Sequence, residues 1–324
     1  MGFAFNELGQ LRDKDDKPFE FVVYRTRQRN QRRYEQLGEA ITEEVYKLLE
    51  TKCGLHKIIL PLELSGDEAF DIDSTPHSFV FASKDWMTTE DRLLMLIHGS
   101  GVVRAGQWAR RLIINDDLEK GSQIPYSKRA MKEGYEVLVL NTNLNRWPDG
   151  SQHKTKATPI TENKSPVAHA SYVWRHLIVQ HAKAKHIAVV AFSYGGVVVT
   201  HLATQESDAF LPRVFAVALT DCVHRLHYEE NVTDRVMEFF AQRVRNWVSS
   251  DEELDEPIAQ YYDEVDAPQF SAGHRKHAWT SYSSFESVLK FFDEQYRKGT
   301  AVASGEVDGL SARVAEETEV ASKL

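Results

Sequence analysis

The stretch HIAVVAFSYGGVVVTHLA (186–203) decides how this chain is read. An apolar run from His186 to Phe192 has the composition of a strand, and the residues after Gly195 suit a helix. Between them lies Ala191-Phe192-Ser193-Tyr194-Gly195-Gly196. A chain that turns this abruptly from strand to helix brings together the residues two before and two after the turn. Ala191 and Gly195 are small enough for that approach. This is the setting of a nucleophile elbow, G-x-S-x-G, with alanine at the first glycine. The turn exposes the Ser193 hydroxyl at a helix N-terminus, where free N–H groups favour developing negative charge. A plain helix-capping serine is the alternative.

Outward from this stretch, further apolar runs read as strands: FEFVVY (19–24), KIILPL (57–62), SFVFAS (78–83), RLLMLIHG (92–99), EVLVLN (136–141) and VFAVALTD (214–221). Helical patterns fall at 30–50, 123–133, 166–184, 195–206 and 229–245. Continuous apolar strands alternating with helices predict a mostly parallel sheet with helices on both faces. No helix separates the strands between 57 and 98, so that N-terminal part is expected to be antiparallel. The expected class is an α/β-hydrolase fold. Residues 142–165 form a polar insertion, read as a lid or flexible segment. The body is expected to span 1–297, and 298–324 reads as a disordered tail.

The 324 residues carry 39 basic and 48 acidic side chains, a formal charge of −9, and are 42% hydrophobic, ample for a core. That acidity argues against a nucleic-acid glove. No window approaches the ~18 apolar residues of a spanning helix, and the N-terminus lacks a secretory apolar region. Cys53 and Cys222 make neither a disulfide framework nor a metal pair, so a soluble intracellular protein is expected. Arg25, Arg27, Arg29, Arg32 and Arg33 cluster within nine residues, read as the wet face of a helix start rather than a nucleic-acid patch. His224 and His227 lack a third ligand at metal spacing, so neither metal nor cofactor is expected.

A hydrolase needs more than a nucleophile. LLMLIHGSGVVRAGQW (93–108) ends a strand in His98-Gly99-Ser100-Gly101, matching the HG-rich loop that donates an oxyanion-hole amide. Gly99 and Ser100 are the candidate donors there, with the Tyr194 N–H beside the nucleophile. A phosphate loop would need G-K-[ST], which is absent. The base should come last in the chain. His277 is favoured over His274 because it stands closer to an amphipathic C-terminal helix. Asp255 is the first choice of acid and Asp221, ending VFAVALTD, the alternative. The predicted triad of Ser193, His277 and Asp255 would run esterase-type acyl hydrolysis on a small acyl substrate.

LIHGSGVVRAGQWARRLIIN (96–115), VAFSYGG (190–196), ALTDCVH (218–224), NWVSS (246–250) and SAGHRKHAWTS (271–281) together resemble the Argonaute-binding protein 2 (Arb) domain family. That family includes animal cotranscriptional regulators and a domain appended to fungal class II histone deacetylases. The similarity spans about residues 3–293. It implies a hydrolase fold with Ser193 at the nucleophile position. It also implies roles in RNA silencing, chromatin or alternative splicing through protein partners such as Argonaute, chromatin or splicing factors, in nucleus or cytoplasm. A catalytically inactive scaffold on the same fold is the second reading. The family block places Arg104, Trp108, Arg110 and Arg111 behind the oxyanion loop, and His98, Arg104 and Trp108 are candidate substrate or partner contacts. Ser322-Lys323-Leu324 matches a peroxisomal address, which offers a competing compartment.

Overall fold

The computed structural model describes residues 2–66, 70–147, 157–224, 226, 229–258 and 267–304. Its elements, in chain order, are β1 (Phe3–Phe5), β2 (Leu11–Asp13), α1 (Arg27–Cys53), β3 (His56–Leu60), β4 (Ser78–Ala82), β5 (Arg92–Ile97), α2 (Arg110–Asn115), α3 (Leu118–Gly121), α4 (Ile124–Lys132) and β6 (Tyr135–Val139). The second half contains β7 (Arg146–Trp147), β8 (Thr158–Pro159), α5 (Pro166–Tyr172), β9 (His186–Phe192), α6 (Gly195–Gln205), α7 (Ser207–Arg213), β10 (Val214–Thr220), α8 (Asp234–Arg243), β11 (Val244–Val248), β12 (Gln269–Ser271), α9 (Thr280–Ser283) and α10 (Phe285–Ser304). A π-helical turn, Val173–Val179, continues α5.

Among the described residues, eight strands form the main sheet in the order β12-β11-β10-β9-β5-β6-β4-β3. Its six strands from β12 to β6 run parallel, and β4 and β3 add antiparallel pairings at one edge. The chain thus has the expected α/β-hydrolase fold. β9 sits in the middle, flanked by β5 and β10, and its side chains alternate between two cores. Ala188 and Val190 face a cluster with Leu37, Val45 and Leu49 of α1, Tyr126 of α4, and Val288 and Phe291 of α10. Ile187, Val189 and Ala191 face Trp174, Val199 and Leu202, Phe210, and Phe240 on the opposite side. Both faces are buried, which is why the parallel strands carry no polar alternation.

Several boundaries differ from expectation. Residues 19–24 are not a strand: Asn30 of α1 accepts from the Val23 and Tyr24 amides and donates to the Tyr24 carbonyl, so the segment's backbone bonds to a helix instead. The helix expected over 229–245 ends at Arg243, where the chain enters β11 directly. α10 continues to Ser304, past the body boundary expected at 297. The insertion at 142–165 contributes the short β7–β8 hairpin, with its central residues 148–156 outside the described residues. His227, the rest of the expected tail and Ser322-Lys323-Leu324 also lie outside them.

α1 docks across the loop that follows β5. Gly106 there has φ +83°, and a Cβ on it would fall 2.7 Å from Val45 Cγ1 and 2.8 Å from Leu49 Cδ1. Gly106→Ala therefore adds both a clash and a strained backbone, and should cost about 1–3 kcal/mol. Urea denaturation of the variant beside the wild-type chain measures that loss.

Candidate active site

The elbow forms because β9 is followed at once by α6. Ser193 bridges them with φ +54°, left-handed backbone rare for a residue with a Cβ, at a cost of roughly 1–3 kcal/mol. Its amide continues the β9–β10 ladder by donating to the Thr220 carbonyl at 3.1 Å. The tight turn drives α6 against the end of β5. A Cβ on Gly195 would sit 2.9 Å from the Ile97 carbonyl oxygen and 3.2 Å from Ala191 Cβ. This is the approach that the spacing of small residues around Ser193 predicts.

Asp221 leaves the end of the neighbouring strand, β10, with φ +49°, and its amide donates to the Trp247 carbonyl at 2.7 Å. His277 opens a short 3₁₀ turn, His277–Trp279, ahead of α9. Its Nδ1 lies 2.8 Å from Asp221 Oδ2. A carboxylate only accepts, so Nδ1 carries the proton and Nε2 keeps its lone pair when the ring is neutral. Burial pushes the Asp221 carboxyl up, but hydrogen bonds from His277 and from Ser249 outweigh it and hold it below its ordinary value. The His277 ring stacks on Phe192, the residue before Ser193, with centroids 4.6 Å apart. Serine, imidazole and carboxylate thus gather at the C-terminal ends of β9 and β10.

Asp255, the first choice of acid, is engaged elsewhere. It accepts from Trp247 Nε1 at 2.8 Å and from Ser287 Oγ at 2.7 Å, tying β11 to α10. The carboxylate on His277 is Asp221. His274, the other late histidine, stacks on Trp279 at 4.7 Å and accepts from the Lys276 amide, so its Nδ1 is occupied.

The loop after β5 leans on the serine: a Cβ on Gly99 would lie 3.0 Å from Ser193 Cβ. Its carbonyls are held from behind. Asn143 Nδ2 donates to the Gly99 carbonyl at 2.9 Å and to the Val103 carbonyl at 3.1 Å. Arg110 Nη2 donates to the Val102 carbonyl at 2.7 Å. Tyr194 immediately precedes α6 as its N-cap, at the helix end where amides have no intrahelical acceptor. Three residues expected to meet a ligand have other surroundings. Trp108 is buried between Tyr126 and Phe192. Arg104 is half-buried, donates to the Val103 carbonyl and lies near the Tyr46 phenol. His98 is buried, with Nδ1 2.8 Å from the Gly99 carbonyl.

Behind His98 lies a polar network that the sequence reading missed. His169 Nε2 accepts from the Asn141 amide at 3.1 Å, and its Nδ1 sits 2.6 Å from Asn163 Oδ1. Thr142 approaches His98 at 3.4 Å. The available signal is the run Asn141-Thr142-Asn143-Leu144-Asn145 just beyond β6, whose Asn141 reads as a strand end and whose remainder reads as the start of the polar insertion.

The first 254 residues match the Arb2 domain, more than two thirds of the chain. The chain belongs to the Arb2 domain family. A cotranscriptional regulator ARB2A homologue of Xenopus tropicalis is 43% identical, with 91% of this chain and 78% of that protein aligned. The ARB2A cotranscriptional regulator of Homo sapiens is 40% identical over 97% of this chain and 84% of its own length. Among solved structures, a histone deacetylase from Saccharomyces cerevisiae covers 80% of this chain and 98% of its own at a TM-score of 0.51 and 12% identity. The histone deacetylase Clr3 gives 0.52 and 13%, covering 80% of this chain and 39% of its own. At such identity the likeness shows the fold alone. Within this Arb2 chain, Ser193 and Asp221 lie inside the matched residues and His277 beyond them.

The buried histidines set a pH dependence. Burial pushes His98 down to about 4 and His169 down to about 3, from an ordinary 6.5. Between those values and 6.5 the unfolded chain binds protons that the folded chain excludes. Their contribution is therefore complete above pH 6.5 and is lost as the pH falls, at up to about 1.4 kcal/mol per pH unit for each ring. Urea midpoints at pH 7 and pH 5 should show that loss, and His169→Gln should flatten it. An unchanged slope in the variant would refute the assignment.

Proposed function

We propose that this Arb2 chain is a serine hydrolase of esterase type acting on a small acyl substrate. The observation that carries the reading is the Asp221–His277 hydrogen bond beside a serine held in left-handed backbone. His277 Nε2 takes the Ser193 proton as Oγ attacks the acyl carbonyl. The negative oxygen is met by amides of Gly99, Ser100 and Tyr194. Collapse of the tetrahedral intermediate expels the alcohol, which receives the proton from His277. Water, deprotonated by the same ring, then releases the acid and restores Ser193. Asp221 holds the tautomer and stabilises the imidazolium. No metal or cofactor enters this sequence of steps.

The relatives' names support a second role, cotranscriptional regulation, and the family resemblance implies that it would work through protein partners in the nucleus. Argonaute, chromatin and splicing factors are the partners that the family resemblance implies. Rescue of a chain-deficient cell by Ser193→Ala separates the two roles: a scaffold needs no nucleophile.

A fluorophosphonate probe should label the wild-type chain and not Ser193→Ala. Asp221→Asn should slow labelling or ester hydrolysis by up to about 10⁴-fold, while Asp255→Asn leaves the rate unchanged. Labelling that survives loss of Ser193 would sink the assignment.

A further inference from the structure

The clustered arginines lie at the exposed start of α1, as expected, but without acidic partners among the described residues. Arg27 and Arg29 occupy the first turn of α1, Arg25 precedes it, and that turn has no acidic residue. Cations there oppose the helix dipole, whose N-terminal end favours anions. Among the described residues, none of Arg25, Arg27, Arg29, Arg32 and Arg33 forms an ion pair. A chain of net charge −9 keeps an unneutralised basic patch at this end.

Apolar surface sits against that patch and is held in place. Val22 is 73% exposed and Val23 54%. Yet their segment is pinned by the buried Asn30 side chain, and Arg33 donates to the Glu20 carbonyl at 2.7 Å while lying 4.4 Å over the Phe19 ring. A cavity of about 410 Å³ opens here between Phe3, Phe19, Tyr24 and Arg29, Arg32 and Arg33. A second, of about 310 Å³, shares Phe3 and Leu37 with it and runs on along α1 past Phe5, Ala40 and Ile41 to Glu44. The two adjoin at Phe3 and Leu37, so this face of α1 offers a groove lined by arginines on one side and mainly by apolar side chains on the other.

We propose that this groove along α1 docks a short peptide segment that carries clustered carboxylates at one end and apolar anchors at the other. The carboxylates would meet Arg29 and Arg32, which have the planar fork that binds carboxylate bidentately. The apolar anchors would enter the lobe between Phe5 and Ala40. The ordering of residues 19–24 is already complete before binding, which lowers the entropic cost of capture. A nucleic acid fits less well. Its phosphates continue along the strand, and they would meet Glu44 where the groove turns apolar. The site is separate from the Ser193 chemistry and stands or falls without it.

Selection of a random-peptide display library on the full chain tests the proposal, with fluorescence anisotropy on the selected peptides. Enriched peptides should combine several Asp or Glu residues with Leu, Phe or Trp. Their affinity should fall with salt, and by at least about tenfold in Arg29→Glu/Arg32→Glu and in Ala40→Glu. All three positions are exposed, so both variants should keep the wild-type unfolding midpoint. No enrichment, or peptides that bind both variants unchanged, overturns the proposal. So does an oligouridylate that binds more tightly than the peptides and is lost with the arginines, which would make the patch a nucleic-acid surface.

Discussion

The close approach of α6 to the end of β5 constrains everything around the serine. Gly195 packs on the Ile97 carbonyl, with no space for a Cβ, and this contact bends the chain through Ser193 in left-handed backbone. Because β5, β9, β10 and β11 run parallel side by side, their following loops emerge at one edge of the sheet. The loop of β5 brings Gly99 onto Ser193, β10 delivers Asp221, and β11 supplies Ser249 to the same carboxylate. The site is a row of adjacent strand ends, near the point where β5 is followed outward by β6 on one side and β9 on the other. If α6 sat an ångström away, the serine would lose both its turn and its neighbours.

Support for that edge comes from two directions. From below, His98, His169, Asn141, Asn143 and Asn163 bond to one another and to the loop backbone in a buried layer. Neutral imidazoles suit this place, since burial in apolar surroundings disfavours their charge. From the side, α1 closes over the same loop, with Gly38 against the Arg110 guanidinium and Gly106 against Val45 and Leu49. The family's long arginine-containing block is thus largely scaffolding for the loop. Arg110 spends its charge on a backbone carbonyl, and Trp108 fills the core.

Much of this was legible in the residues because local pattern and global fold agree. The apolar runs at 92–99, 136–141, 186–193 and 214–221 are strands, since a strand buried on both faces has no alternative to a continuous apolar sequence. The elbow was legible for a steric reason, small residues at a fixed spacing around Ser193. FEFVVY misled because β-propensity describes fit to a pleated neighbour, and among the described residues no strand pairs with it. Asp255 misled because loop position relative to the last strands says nothing about direction. It points at Trp247 and Ser287, while Asp221, one residue beyond β10, meets His277 across 56 positions of sequence.

By itself, then, the sequence determined the alternation of strands and helices, the serine's turn and the late histidine. These depend on local spacing and on burial that each segment's own composition announces. Only the tertiary structure decided which carboxylate serves His277, which arginines are buried supports, and which remain unpaired beside a groove along α1. Those outcomes depend on distances between residues far apart in the chain. Periodicity records which face of an element is buried, but not which polar group waits on the other side.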